Sequence, residues 1–117
     1  MDTGKTMITT HVLDTALGSP AVGVTVILEV RQGSDWHPVG RGATDEKGRV
    51  STLTEGQEIV AGTYRLTFDL ASYHRATGIS AVFFPEARIA FSVRDTEQHY
   101  HVPLLVSPFG YTTYRGA

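Results

Sequence analysis

Residues 63–70 read Thr-Tyr-Arg-Leu-Thr-Phe-Asp-Leu, a stretch in which polar and apolar residues alternate strictly. Alternation with period two puts every second side chain on the same face of a β-strand. Residues 24–31 and 89–94 repeat the pattern. These three stretches predict strands with one face on a hydrophobic core.

Weaker strand signals, mostly rich in β-branched or aromatic residues, occur in five further stretches. They cover residues 7–13, 36–44, 49–53, 99–105 and 111–115. Glycine- and proline-containing turn signals, such as 17–20 and 45–48, separate the strands. Pro38 and Pro103 lack a backbone donor, so we expect each at a sheet edge or a strand irregularity. Eight short strands at this spacing predict an all-β sandwich or barrel.

One short helix is predicted at 70–77, because Ala71, Arg75 and Ala76 favour helix and Gly78 is placed to end it. The 117 residues show no internal repeat and match the usual size of one domain. We therefore predict a single domain over 1–117, with residues 1–6 as a disordered N-terminal tail.

The charge balance argues against two classes of partner. Ten Lys and Arg against twelve Asp and Glu leave a net charge of −2, which does not suit nucleic acid or an anionic membrane surface. The absence of cysteine excludes disulfides and thiolate metal sites. No stretch resembles a signal peptide or a membrane span, so the expected location is cytoplasmic.

Histidines supply the first candidate functional residues. His99 and His101 are two apart on a predicted strand and should project from one face, while His11 lies in the row of Thr9 on another strand. Strand histidines are often surface or hydrogen-bonded structural groups, and we place His37 and His74 in that class. A zinc site built from two strand histidines and a third one is an alternative interpretation.

Arginine supplies the second candidate. Arg49 follows the turn 44–48, in which Gly48 can adopt a positive φ and so direct the next side chain to a fixed place. A solvated arginine at a strand start is the alternative for Arg49, and Arg115 has the same alternative.

Four motifs, taken together, distinguish this sequence from a generic β-sandwich. They are HVLDTALG at 11–18 with Pro20-Ala21, Thr44-Asp45 with Gly48-Arg49, HYHVPLL at 99–105 with Ser107-Pro108, and Tyr114-Arg115-Gly116. In order and spacing they resemble the 5-hydroxyisourate hydrolases, the transthyretin-related proteins, over nearly the whole chain.

The resemblance implies a transthyretin-like sandwich of two four-stranded sheets with one short helix. It also implies a homotetramer, a dimer of dimers, with active sites in a central channel and without a cofactor or metal. The implied catalytic residues are His11, Arg49 and His101, and the C-terminal segment Tyr114, Arg115, Gly116 and Ala117 would bind substrate. Ala117 departs from the family, whose final tetrapeptide is Tyr-Arg-Gly-Ser.

The activity implied by the resemblance is opening of the six-membered ring of 5-hydroxyisourate in urate degradation. His101 is expected to act as general base, with His11 orienting it or sharing the proton, and Arg49 to stabilise the oxyanion. Two alternatives stay open. One is a small-ligand carrier of the transthyretin type, and the other is a sandwich used as an interaction module.

Overall fold

The computed structural model describes residues 6–117 as two β-sheets packed face to face around one hydrophobic core. The first sheet has the order β2-β1-β8-β9, with β5 also paired to β1, and the second has the order β4-β3-β6-β7. The elements are β1 (Met7–Asp14), β2 (Ser19–Pro20), β3 (Thr25–Gln32), β4 (Asp35–Ala43), β5 (Arg49–Val50), β6 (Gly62–Asp69), α1 (Leu70–Ala76), β7 (Glu86–Val93), β8 (His99–Ser107) and β9 (Gly110–Thr113).

This architecture confirms the predicted transthyretin-like sandwich with one short helix. The first sheet gains a fifth member because Ser19 and Pro20, which the sequence placed in a turn, pair with Asp14 and Leu13. Strand β5 is shorter than predicted and ends at Val50. The predicted tail mostly lies outside the described residues, but Thr6 is buried and its hydroxyl donates to the carbonyl of Thr96.

The strictly alternating stretch forms β6 at the centre of the second sheet. Tyr64, Leu66 and Phe68 are at most 1% exposed, whereas the residues between them are only half-buried. Burial of each such side chain stabilises the fold by roughly 1.5–3 kcal/mol. Leu70, also fully buried, begins the helix instead of ending the strand.

The two prolines lie at irregularities, as predicted. Pro38 is on the edge strand β4, where the register with β3 shifts between Leu28 and Glu29. Pro103 is on the interior strand β8. The ladder between β8 and β9 ends at the pair Leu104 and Thr113, and beyond it His101 forms an isolated bridge to Gly116. Pro103 therefore lies where the pairing of β8 with the C-terminal segment is interrupted.

Helix α1 has the predicted position and end. The Asp69 side chain caps its first turn by accepting from the Ser72 N–H at 3.1 Å. At the other end the N–H groups of Gly78 and Ile79 donate to the carbonyls of Arg75 and His74, a Schellman arrangement. No helix within residues 6–117 combines the length and apolar character needed to cross a lipid bilayer.

The helix is fastened to the first sheet by a buried hydrogen bond, in which the Tyr73 hydroxyl donates to Asp14 Oδ2 at 2.7 Å. Its neighbour His74 was predicted to be a surface or hydrogen-bonded structural group. The surface alternative is wrong, because His74 is 1% exposed, and its Nε2 has no hydrogen-bond partner within residues 6–117. His37 remains exposed on β4, as expected.

Strand β1 places the candidate site, because it lies between β8 and β5. It pairs with β8 in parallel, which sets Thr9 opposite His101 and His11 opposite Pro103. It pairs with β5 in antiparallel fashion, which sets His11 opposite Arg49. Three segments that are far apart in sequence therefore meet on the outer face of one sheet.

Candidate active site

The two histidines of β8 project outward together and meet one hydroxyl. Thr9 Oγ1 lies 2.7 Å from Nε2 of His99 and 2.8 Å from Nδ1 of His101. Tyr100 between them points into the core, which confirms the prediction that the two imidazoles share a face. Thr9 is only 7% exposed, so this contact is made at the floor of the site.

Arg49 is placed by a tight turn. Asp45 Oδ1 accepts from the N–H groups of Lys47 and Arg49 at 2.8 and 2.9 Å, and these two bonds lower the pKa of the Asp45 carboxyl. Gly48 has φ +78°, as the sequence predicted, and a Cβ there would lie 2.4 Å from the Val12 carbonyl oxygen. Only glycine fits this position, so the turn fixes where Arg49 begins.

His11 is half-buried and lies beside Arg49 in the β1–β5 ladder. It is two residues along β1 from Thr9, and therefore on the same outer face. The three predicted catalytic residues thus lie on the outer face of one sheet. Arg49 and His101 line a common groove, whose other walls include Met7, Thr9, His99 and Ala117.

The C-terminal segment divides into two parts. The Gly116 N–H donates to the His101 carbonyl at 2.8 Å, and Ala117 reaches the groove. Tyr114 and Arg115 instead line a second, mainly apolar cleft beside β7, which His101 also lines. The Arg115 guanidinium lies 4.7 Å from the centre of the Tyr100 ring and donates to Gln98 Oε1.

Gly116 also restrains the His101 ring. A Cβ at Gly116 would lie 2.6 Å from Cδ2 of His101, so the backbone of this residue packs closely against that edge of the imidazole. The ring is therefore held by Thr9 at Nδ1 and by Gly116 at Cδ2, which leaves Nε2 as the nitrogen available to a bound molecule.

The electrostatics of the groove favour a neutral imidazole at His101. Burial lowers the pKa of His101, and electrostatic interactions with His99, His11 and Arg49 lower it further. A neutral histidine can accept a proton, and a nearby guanidinium can stabilise negative charge that develops on oxygen. The groove can therefore support proton transfer and oxyanion stabilisation.

Two members of the groove were not assigned a role from the sequence. His99 was noted as sharing a strand face and the HYHVPLL motif with His101, and as part of the zinc alternative, but received no catalytic role, and Thr9 was noted only as a member of the row of His11. The period-two spacing 7, 9 and 11 was a signal for Thr9, but the parallel register that brings it between two rings cannot be seen in the sequence. Residues 6–117 contain no cluster of three or more histidine, cysteine, aspartate or glutamate side chains arranged to hold a metal ion.

A two-sheet sandwich that gathers imidazoles and a guanidinium on one outer face defines a transthyretin-like β-sandwich protein with a polar surface groove. The family model described as the HIUase/Transthyretin family matches residues 8–116, and the chain belongs to this family.

Two solved structures show the breadth of the family. The chain is similar to Klebsiella pneumoniae 5-hydroxyisourate hydrolase, with a TM-score of 0.82 and 35% identity, covering 96% of this chain and 99% of that one. It is also similar to sea bream transthyretin in complex with thyroxine, with a TM-score of 0.87 and 31% identity, covering 94% of each.

Among curated relatives the likeness is to the hydrolases. The chain is 43% identical over 114 residues to 5-hydroxyisourate hydrolase 2 of Rhizobium meliloti, covering 94% of this chain and 95% of the relative.

Proposed function

We propose that this protein hydrolyses 5-hydroxyisourate, opening its six-membered ring to give 2-oxo-4-hydroxy-4-carboxy-5-ureidoimidazoline in urate degradation. The observation that carries the proposal is the convergence of His11, Arg49 and His101 on one face through the pairing of β1 with β5 and β8. The names of the curated relatives support the same substrate.

The reaction adds water across a cyclic amide bond. Nε2 of His101 takes a proton from water, and the hydroxide oxygen forms a bond to the ring carbonyl carbon. The carbon–nitrogen bond then breaks, and the proton held by His101 passes to the leaving nitrogen. A lowered pKa keeps His101 neutral near pH 7, as a general base requires.

Arg49 stabilises the negative charge that develops on the carbonyl oxygen. Its guanidinium stays protonated and offers paired planar donors, which suit an electron-rich ureide. His11, next to Arg49, orients the substrate or shares the proton of His101. No residue in this scheme needs a cofactor.

The C-terminal segment contributes to substrate binding. Ala117 lines the groove of its own subunit, whereas Tyr114 and Arg115 lie beside a different cleft. In the proposed homotetramer, a dimer of dimers, the outer faces of the first sheet come together around a channel, and the exposed groove becomes enclosed. Sedimentation equilibrium checks the assembly, with a mass four times 12.7 kDa expected.

A carrier of the transthyretin type is the rival function. Such a carrier would bind an apolar or iodinated aromatic molecule without turnover and would favour an apolar channel. The histidines and arginine of this groove suit proton transfer better than apolar binding. We also propose a cytoplasmic location, which a chain without cysteine suits, and which fractionation of cells checks.

The deciding experiment uses fresh 5-hydroxyisourate, made in place from urate and urate oxidase, and follows the loss of its ultraviolet absorbance. We expect the wild-type protein to accelerate decay far above the spontaneous rate and the His101→Ala variant to lose at least about a hundredfold in kcat. Wild-type protein that leaves the decay at the spontaneous rate but binds thyroxine tightly would overturn the hydrolase proposal in favour of a carrier.

A further inference from the structure

The Thr9 hydroxyl lies between the two imidazoles of β8. Its oxygen is 2.8 Å from Nδ1 of His101 and 2.7 Å from Nε2 of His99, and the hydroxyl is nearly buried. The ring of His99 stands 6.1 Å from that of His101, centre to centre, at an interplanar angle of 62°. The three side chains form a continuous hydrogen-bonded row on the floor of the groove.

One hydroxyl has one proton, and this couples the two rings. Thr9 can donate to only one of the two nitrogens, so the other nitrogen must carry a hydrogen and donate to the hydroxyl oxygen. If Thr9 donates to His101, the neutral His101 ring carries its hydrogen on Nε2 and cannot act there as a base. If Thr9 donates to His99, the Nδ1–H of His101 donates to Thr9, and Nε2 of His101 keeps its lone pair.

The surroundings of His101 favour the second arrangement. Nδ1 and Cδ2 are held by Thr9 and Gly116, so Nε2 is the ring nitrogen left for the groove that Arg49 also lines. A lone pair on Nε2 presents negative charge to the cationic guanidinium, whereas an N–H would present positive charge to it. Electrostatics within the groove therefore select the tautomer in which His101 is a base.

We propose that Thr9 and His99 are positioning residues that hold His101 in its Nδ1–H tautomer through the row His101 Nδ1–H to Thr9 Oγ1 and Thr9 O–H to His99 Nε2. Nε2 of His101 then takes the proton from water and later gives it to the leaving ring nitrogen, while the Nδ1 hydrogen stays bonded to His101 and donated to Thr9 Oγ1 throughout. Because it assigns roles in the ring-opening step, this proposal rests on the proposed function.

The direct test measures the tautomer without substrate. Long-range ¹⁵N–¹H spectra of protein labelled at histidine distinguish Nδ1–H from Nε2–H rings, and single histidine substitutions assign the signals. We expect Nδ1–H at His101 in the wild-type protein and in Thr9→Ser, which keeps the hydroxyl. In Thr9→Val, which has the same shape but no hydroxyl, Nδ1–H would face a methyl group, so we expect the hydrogen on Nε2.

Kinetics give the second measurement. Thr9→Val should lower kcat by roughly 10- to 100-fold with little change in KM, and Thr9→Ser should stay within about threefold of wild type. The matched pair at His99 tests the far end of the row. His99→Gln keeps an acceptor for the Thr9 hydroxyl and should retain more activity than His99→Leu, which has none.

The outcomes separate this proposal from the proposed function. Wild-type protein with Nε2–H at His101, or folded Thr9→Val with wild-type tautomer and kcat, would overturn the positioning roles and leave the hydrolase function standing. Wild-type protein without ring-opening activity would instead refute the proposed function, whatever the spectra show. Circular dichroism of each variant excludes misfolding as the cause of a lost rate.

Discussion

The outer faces of the two sheets carry similar residue types in different surroundings. On the second sheet Arg65 donates to Glu29 at 2.8 Å and lies 4.3 Å from the centre of the Trp36 ring, and Arg88 contacts Glu86 at 2.7 Å. On the first sheet Arg49 shares its groove with His99 and His101 and adds to the positive charge around the latter.

The difference shows how one fold separates stability from chemistry. A guanidinium next to a carboxylate and an aromatic ring is satisfied, so it contributes to packing and has little capacity left for a ligand. A guanidinium beside imidazoles lowers their affinity for protons and attracts an electron-rich ligand. The first sheet therefore carries the candidate site, and the second sheet provides matched controls for substitutions of Arg49 and Gly116.

The largest effect on kcat is expected when an arginine is replaced by alanine on each of the two outer faces in turn. Arg49→Ala should lower kcat for 5-hydroxyisourate by at least about a hundredfold, because it removes an electrostatic donor to the developing oxyanion. Arg65→Ala should leave kcat within about twofold of wild type. Steady-state assays of the two purified variants check this contrast.

Stability should show the opposite order. Arg65→Ala loses a half-buried ion pair and a cation–π contact, so we expect the free energy of unfolding to fall by about 0.5–1 kcal/mol. Arg49 is exposed, and its removal should change that free energy by less than about 0.5 kcal/mol. Equal losses of activity in both variants would contradict the division between the two faces.

A smaller effect is expected from adding one methyl group to each face. In Gly116→Ala the new Cβ would meet Cδ2 of His101 at 2.6 Å, so the ring or the C-terminal segment must move. We expect kcat to fall about tenfold or more, because small displacements of a reacting group are costly. Gly62→Ala on β6 meets no atom within 4 Å and should behave as wild type. A wild-type rate in Gly116→Ala would show that the contact does not position His101.

The sequence predicted those features of the two sheets that depend on residues adjacent in the chain. Period-two alternation located β6, and Gly48 located the turn before Arg49, because both are set by residues adjacent in the chain. The position of Thr9 between two imidazoles depends on the parallel register of β1 with β8, which joins residues about ninety positions apart. No local pattern encodes that register.

Other parts were beyond the sequence for different reasons. Histidine is a polar residue type that is often exposed, and His74 is buried only because α1 packs against the sandwich. Tyr114 and Arg115 were grouped with Gly116 by motif, but in the structure they line a second cleft, which shares only His101 with the groove. Their proposed contact with substrate depends on the assembly, which pattern within one chain does not determine.

The smallest expected effect concerns the proton affinity of the His101 ring. Burial, followed by electrostatic interactions with His99 on β8, His11 on β1 and Arg49 on β5, holds the pKa of His101 below its ordinary value of about 6.5. The neutral imidazole is the active base, so activity should be present above this lowered pKa and fall as pH drops through it, by about tenfold per unit. Titration of the His101 ring by NMR gives the pKa directly.

Replacing one arginine on each outer face tests whether the local position of Arg49 sets the pKa of His101. Arg49→Met removes one positive charge while keeping an extended side chain, so the pKa of His101 should rise towards its ordinary value. Arg65→Met removes a charge that already pairs with Glu29 on the opposite side of the sandwich, and the titration should not move. A His101 titration that shifts equally in both variants would mean that net charge alone, and not the local placement of Arg49, sets the protonation of the base.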